Sequence, residues 1–405
     1  MNGVTIAYSG VHQAFQIALA AAEMGRLDEF CCSFFAAPGK WGGWFERLLG
    51  EERLVNRKAT GIPLEKVVEY PWAYLGLLLR RKLASTPRFD WAAANEQFDR
   101  WAAKRIQCST SRIFVGVETC ALESMRVARS RGMVTFLDST QVHPVFLRSL
   151  LDRAGEQLGI RRTIEIDAPR TTDRKQEEFA LADHILIYSE IQRRSFAEAG
   201  FDEARLVEIP LWADGELWDI PRECRNRDEE SLEVLFVGSI GLRKGIPWLL
   251  RATQQVQRPI RLRLVGRIEE TFRGWLQDQP SVFEHVPPQP RRALRRYYAE
   301  ADVLVLPSLV DSFGFVAMEA MLAGVPVIVS ENCGVPVPDR TWRVPVMDGD
   351  AIAARLEYYA ENRAALERDR ARAKEFARQF TPGRYRNQIK SALATILERF
   401  HSHAN

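Results

Sequence analysis

The stretch SLVDSFGFVAMEAMLAGVPVIVS, residues 308–330, sets an acid, Asp311, just ahead of an aromatic–glycine–aromatic turn and a second acid, Glu319, eight residues on inside an apolar run. A helix that only packs needs neither. DVLVLP before it reads as a strand ended by Pro307, SLVDSF as a loop, Gly314 to about Ala323 as a helix, Gly324 as its cap, and VPVIVS as the next strand. In an open parallel sheet, ligands bind beyond the carboxyl ends of the strands. The loop and the first helical turn fall there. Gly314 lets backbone N–H groups approach a ligand closely. A carboxylate can accept two hydroxyl hydrogen bonds, which suits a sugar or a ribose. Taken singly, Asp311 also reads as a loop or capping acid, and Glu319 as a partly exposed helix glutamate.

A second strand–turn–helix lies upstream, in EVLFVGSIGLRKGIPWLLRA, residues 233–252. Gly238 and Gly241 are expected to bend the chain tightly. Arg243 and Lys244 then stand before a helix with Pro247 in its first turn. A helix N-terminus with adjacent cations is suited to phosphate oxygens, although two solvated loop charges would read the same way. Neither a GxxxxGK[ST] loop nor a GxGxxG fingerprint is present.

Working outward, short apolar strands alternate with helical patterns: TIAYS, IFVGV, VTFLD, HILIYS, VEIP, VLFVG, RLRLVG, VLVLP and PVIVS. Strands apolar on both faces belong in a sheet covered on both sides, so the fold class is α/β with parallel sheets. PLWADGELWDIPRECRNRDEESLE, residues 210–233, is polar and lacks an apolar period, and reads as the crossing between two domains. After about residue 350 the chain reads as helical. Its 405 residues suffice for two or three domains. A formal charge of +3 is too near balance for a general nucleic-acid binder. MNGVTIAY reads as a first strand rather than a signal peptide, and no apolar run reaches membrane-span length. Six cysteines without a CxxC pair disfavour zinc and redox motifs and fit a reducing, cytoplasmic setting.

GSIGLRKG, DSFGFVAMEAMLAGVPVI and EFALADHILIYSEIQRRSFAEAGF followed by VEIPLWAD together resemble retaining family 4 glycosyltransferases of the GT-B type, over roughly residues 176–330. The resemblance implies two Rossmann-like doubly wound domains facing across a cleft: 1–209 for the acceptor, 210–385 for the donor, and a segment 386–405 crossing back to the first domain. It implies a nucleotide-diphosphate sugar as co-substrate and no other cofactor. Arg243 and Lys244 would hold the diphosphate, with Gly238 and Gly241 shaping their loop. Asp311, with Phe313, Gly314 and Phe315 beside it, would contact the sugar, and Glu319 the ribose hydroxyls. The family's usual first acid is Glu; Asp311 is one methylene shorter. No metal is expected: the sole Asp-x-Asp, Asp348-Gly349-Asp350, precedes a helix that Asp350 is expected to cap.

For the acceptor, Gly10 and His12 after the first strand and Asp138 and His143 near VTFLD are the candidates, His143 also as a catalytic base. Residues near Val286 are assigned to the nucleotide base, through backbone contacts. Residues 70–112 hold eight Lys+Arg against three Asp+Glu, and five of the ten tryptophans lie between 41 and 101. YPWAYLGLLLRRKL, residues 70–83, sets Arg80, Arg81 and Lys82 beside aromatic and leucine residues, which suits an anionic membrane surface, peripheral at the inner face, and a glycan or lipid-linked acceptor. An ordinary core helix with a basic end is the alternative. The leading function is retaining, metal-independent glycosyl transfer. The alternatives are another GT-B activity such as nucleotide-sugar epimerisation, or a non-catalytic nucleotide-sugar-binding scaffold.

Overall fold

Thirteen strands form two separate, all-parallel sheets among the described residues. The structure is a computed structural model, and it describes residues 3–10, 13–44, 60–76, 91–160, 169–220, 231–280 and 282–402, with the side chains of 399–402 left aside. The first sheet is built from β1 (Val4–Tyr8), β2 (Leu27–Cys32), β3 (Val67–Glu69), β4 (Ile113–Val117), β5 (Val134–Asp138), β6 (His184–Ile187) and β7 (Leu206–Glu208), in the order β3-β2-β1-β4-β5-β6-β7. The second is built from β8 (Leu232–Val237), β9 (Ile260–Val265), β10 (Glu284–Val286), β11 (Val303–Leu306), β12 (Val327–Ser330) and β13 (Arg343–Val344), in the order β10-β9-β8-β11-β12-β13. Each order reverses direction once, between β1 and β4 and between β8 and β11. Helices leave opposite faces at such a switch, which opens a crevice at the carboxyl ends of the two strands.

Central strands are buried along their whole length: all of Ile113–Val117, Val134–Asp138, Val303–Leu306 and Val327–Ser330. That is the physical content of their unbroken apolar runs. Four strands outside the expected set, β2, β3, β10 and β13, lie toward the sheet margins. They are short or carry charges such as Asp28 and Glu29, as edge positions tolerate.

Strand β7 closes the first sheet and β8 opens the second. Between them Gly215–Trp218 forms one helical turn capped by Asp214; residues 221–230 are outside the described set. The last helix, Pro382–Ser402, rests on Gln13–Glu23 of the first domain. Arg386 and Lys390 both reach Glu23, at 2.8 and 2.6 Å, and Arg386 donates to Gln16 Oε1 at 2.9 Å. One direct hydrogen bond crosses near the cleft, from Ser189 Oγ to Ser312 O at 2.6 Å, and at the start of the last helix Tyr385 packs on Trp212 with centroids 4.5 Å apart.

One buried charge cluster fastens the second sheet to its outer helix. Asp302, at the entry to β11, accepts from Arg370 at 2.6 Å, from Arg363 at 3.3 Å and from the Glu233 backbone N–H at 3.0 Å. Arg370 also donates to Ala301 O at 3.3 Å. Deleting one side of such a cluster strands the other in low dielectric. Asp302→Ala should therefore lower unfolding free energy by about 3–5 kcal/mol. Urea denaturation reads this directly, and an unchanged midpoint would show that the cluster does not fasten the sheet.

Candidate active site

The two crevices face each other and share a cleft of about 580 Å³. Tyr8, Thr140, Gln141 and Tyr188 line it from the first domain; Arg243, Glu269, Asp311 and the Phe313-Gly314-Phe315 turn line it from the second.

On the second-domain side, the loop after β8 is pressed onto the end of β11. Leu242–Lys244 form a single 3-10 turn, and Gly245 follows at φ +72°. A Cβ at Gly245 would sit 1.9 Å from Pro307 O, so only glycine permits this contact. The helix Ile246–Gln255 begins at once, with Pro247 in its first turn. Leu309 N–H donates to Arg243 O at 2.9 Å and joins the two loops. Gly238, at φ +147°, turns the chain as expected, but Gly241 does not: its φ of −171° is extended backbone. Gly241 contributes its lack of bulk instead, since a Cβ there would lie 2.2 Å from the Glu269 carboxylate.

Lys244 Nζ donates to Asp311 Oδ2, and both side chains are largely buried. Arg243 Nη1 lies 3.5 Å from Val310 O. The Asp311 backbone is fixed on both sides, its N–H donating to Asn332 O at 3.0 Å and its carbonyl accepting from Gly334 at 2.8 Å. Burial alone would push the Asp311 carboxyl up; Lys244 and Arg243 outweigh this and hold it below the usual carboxylate range. Asp311 therefore stays ionised throughout the neutral range. Phe313 is buried against Phe315, with ring centroids 5.2 Å apart.

Glu319 sits on the Phe315–Leu322 helix but is not among the residues lining the cleft. Its Oε1 accepts from Arg291 Nε and Nη2 at 3.2 and 3.1 Å, and its Oε2 accepts from the Tyr298 hydroxyl at 3.1 Å. Burial raises its pKa above the usual value, while Arg291 and Tyr298 oppose that rise. Val286 is buried at the end of β10, where its carbonyl accepts from Gly266.

In the first domain the outcomes differ more. Gly10 lies against the Tyr8 ring, with a notional Cβ 2.5 Å from its hydroxyl. His12 falls outside the described residues. His143 is a correction as a catalytic base. Its ring packs among Phe179, Phe196 and Phe201, with centroids 5.8, 5.5 and 5.5 Å away, and it does not line the cleft. Burial pushes its pKa down to about 4, so the ring is neutral. Asp138, fully buried at the end of β5, accepts from the Tyr188 hydroxyl and lies one layer behind the cleft wall.

Sequence reasoning missed the polar wall around it. Thr140 Oγ1 donates to buried Glu118, Lys175 Nζ donates to Gln141 Oε1 at 3.0 Å and stands 3.7 Å from Glu118, and Gln192 Nε2 donates to Ser139 O at 2.9 Å. Glu118, Thr140 and Gln141 stand just past strand ends, whereas Lys175 and Gln192 lie on helices and carry no local signal. Asp348, not Asp350, caps the helix Gly349–Glu361, accepting from Ala351 N–H at 2.8 Å; Asp350 instead accepts from Gln255 at 2.8 Å. Among the described residues no group of three or more His, Cys, Asp or Glu could hold a metal ion.

Fold and cleft together define a two-domain GT-B architecture. Residues 231–362 match the family model described as glycosyl transferases group 1. Among curated proteins, the chain is 36% identical over 115 residues to an uncharacterized glycosyltransferase of Methanocaldococcus jannaschii, covering 27% of this chain and 29% of that one. It is 29% identical over 226 residues to the D-inositol 3-phosphate glycosyltransferase of Kineococcus radiotolerans, covering 44% and 52%. The matches thus span about a third to half of those relatives' lengths. Among solved structures, HepE of Anabaena in complex with UDP aligns over 98% of this chain and 100% of that one, with a TM-score of 0.62 at 14% identity. Sucrose-phosphate synthase of Thermosynechococcus elongatus aligns over 100% and 99%, with a TM-score of 0.57 at 18% identity. At such identities the structural likeness is one of fold. The glycosyltransferase resemblance carried by the motifs is shared by the family model and by both curated relatives.

Asp138 gives a pH prediction. Burial, with Glu118 adding to it and Tyr188 opposing, pushes its pKa up to about 7, and its Oδ2 has no hydrogen-bond partner among the described residues. A raised carboxylate pKa makes the protonated form the one folding favours. The contribution is complete below the unfolded value near 4 and is lost as pH rises to about 7. Relative to wild type, Asp138→Asn should gain stability from pH 4 to 7, by up to about 4 kcal/mol. Melting curves across that range test it, and a constant difference would exclude the assignment.

Proposed function

We propose that the protein is a retaining, metal-independent glycosyltransferase of family 4 that moves a sugar from a nucleotide-diphosphate donor to a glycan, lipid-linked or small-molecule acceptor. One observation carries this reading: Arg243, Lys244 and Asp311 meet at the switch point of the second sheet, beside the N-terminus of Ile246–Gln255, across the cleft from a polar wall. Complexes of HepE with UDP and with UDP-glucose make UDP sugars the first donors to test.

In this reading the diphosphate lies against Arg243, Lys244 and the helix N-terminus. Cleavage of the bond from the anomeric carbon to the diphosphate leaves added negative charge on the leaving oxygen. Fixed cations stabilise that charge more in the transition state than in the ground state. A diphosphate offers Lys244 new acceptors, and the Asp311 carboxylate it now holds becomes available to sugar hydroxyls. The acceptor oxygen bonds to the same face of the anomeric carbon, which retains configuration, and its proton passes to a leaving diphosphate oxygen. Glu319 would reach the ribose with lone pairs that Arg291 and Tyr298 leave open. Residues 70–83 at an anionic membrane surface, on the cytoplasmic side, belong to the same reading; Tyr70–Gly76 are the part that is described.

Arg243→Ala and Lys244→Ala should each lower kcat by about 10²–10³. The assay follows nucleotide release from UDP sugars with and without cell-extract lipids or glycans. Acceptor-dependent release supports transfer, acceptor-independent epimer formation supports the epimerase reading, and binding without turnover supports a scaffold. Wild-type rates in both variants would remove the cations from the chemistry. Glu319→Gln should weaken UDP binding by about 1.5–3 kcal/mol, the worth of a charge-assisted hydrogen bond. Calorimetric titration measures it, and unchanged affinity takes Glu319 out of the donor site.

A further inference from the structure

The first-domain wall of the cleft has its hydrogen bonds assigned from behind, and that assignment decides what it offers a ligand. Thr140 and Gln141 line the cleft. Their segment is pinned on the buried side. The Gln141 carbonyl accepts from Gln192 Nε2 at 2.9 Å and from Ser139 Oγ at 3.0 Å, and Gln192 Oε1 accepts from Tyr188 N–H at 2.7 Å. Gln192 and Ser139 are fully buried, so water does not compete for these bonds.

The two side chains are polarised in the same way. Lysine carries donors only. Lys175 Nζ, 3.0 Å from Gln141 Oε1, therefore fixes that atom as the amide oxygen. Nε2 is left with two N–H groups and no partner among the described residues, on an exposed side chain that lines the cleft. Thr140 has one hydroxyl proton, and its Oγ1 gives it to Glu118 Oε1, so only lone pairs remain for the cleft. Two neighbouring residues thus present one acceptor and one set of donors, none of them charged.

The layer behind them settles which ligand this suits. Lys175 is 2% exposed and is committed to Gln141 and, at 3.7 Å, to Glu118. Glu118 and Asp138 are buried one layer back, and each receives a hydroxyl proton from the wall, Glu118 from Thr140 and Asp138 from Tyr188. A phosphate monoester carries about −1.5 to −2 at neutral pH, and its dianion only accepts. It would meet lone pairs at Thr140 and two carboxyl groups behind them. A sugar hydroxyl both donates and accepts. One hydroxyl, or two on adjacent carbons, gives a proton to Thr140 Oγ1 and accepts from Gln141 Nε2.

We infer that Thr140 and Gln141 form a subsite for the hydroxyls of an uncharged sugar residue and select against a phosphorylated one. Arg243 and Asp311 line the opposite wall, so the subsite lies across the cleft from the proposed donor position. Its role rests on the transferase reading: the sugar held there is the acceptor, and the unit that receives the new bond is neutral. A site built to hydrogen-bond a hydroxyl discriminates strongly, because a ligand of the wrong polarity leaves its groups unpaired.

The test is saturation-transfer NMR titration of the full chain, with and without saturating UDP. The probes are methyl glucoside, methyl galactoside and methyl mannoside, each against its 6-phosphate. At least one neutral glycoside should bind about tenfold more tightly than its phosphate, or better. Gln141→Glu keeps an oxygen for Lys175 but exchanges the donor for an acceptor, and should weaken that glycoside about tenfold. Thr140→Val should weaken it similarly, and Thr140→Ser should restore it; a loss due to packing alone would spare the isosteric valine and not the serine. Melting temperature and affinity for UDP and UDP-glucose are read in the same samples. The inference is overturned if no glycoside binds, if the phosphates bind as well as the neutral sugars, or if folded Gln141→Glu and Thr140→Val bind glycosides as wild type does. It is also overturned if these variants lose UDP or UDP-glucose affinity instead, which would put the pair at the donor. Glycoside binding as expected without UDP binding removes the transferase reading and leaves the subsite standing.

Discussion

The ion pair between Lys244 and Asp311 joins the two loops on which the rest of the site depends. One follows β8, the other β11, and these strands flank the single reversal in the second sheet. A largely buried pair of this kind adds little net stability, because desolvating two charges offsets most of their attraction. Its contribution is to geometry. With Leu309 N–H on Arg243 O and Gly245 against Pro307 O, the pair sets the 3-10 turn at one depth relative to the Phe315–Leu322 helix. The charge balance is also fixed locally. Arg243 and Lys244 stand against two carboxylates, Asp311 and Glu269, so the formal charges balance there and the surplus positive potential comes from the first N–H groups of Ile246–Gln255.

The two domains are joined differently on the two sides of the cleft. At the mouth the direct contacts are polar: Ser189 to Ser312, and Arg194 to Asn332. At the back, Pro382–Ser402 crosses to Gln13–Glu23 through Arg386 and Lys390 and buries Tyr385, Ile389 and Leu393.

The second domain was legible because its information is local. A strand, a glycine turn and a helix start lie within about twenty residues, so GSIGLRKG and DSFGF announce their place in the fold. The central strands were legible for the same reason, being apolar on both faces. Strands β2, β3, β10 and β13 were not, because edge positions admit charges and short lengths that erase the pattern. The Asp348-Gly349-Asp350 cap was assigned two residues late, since sequence alone cannot tell which aspartate adopts the extended backbone a cap requires.

The first-domain side of the cleft resisted for a different reason. Its wall joins Glu118 after β4, Thr140 and Gln141 after β5, Lys175 from a helix and Tyr188 after β6, segments far apart in sequence and adjacent only because the strand order makes β4, β5 and β6 neighbours. Lys175 sits in PRTTDRKQEEFAL, where nothing distinguishes the one lysine that turns inward from the charges that face water. His143 illustrates the converse. Histidine beside a strand end invites a catalytic role, yet Phe179, Phe196 and Phe201, which enclose it, come from elements up to about sixty residues away and carry no local sign of a shared cage. Residue type marks a site where the chain itself supplies the neighbours. Where topology supplies them, the same residue type is silent, and the first-domain wall of the cleft is made almost entirely of such residues.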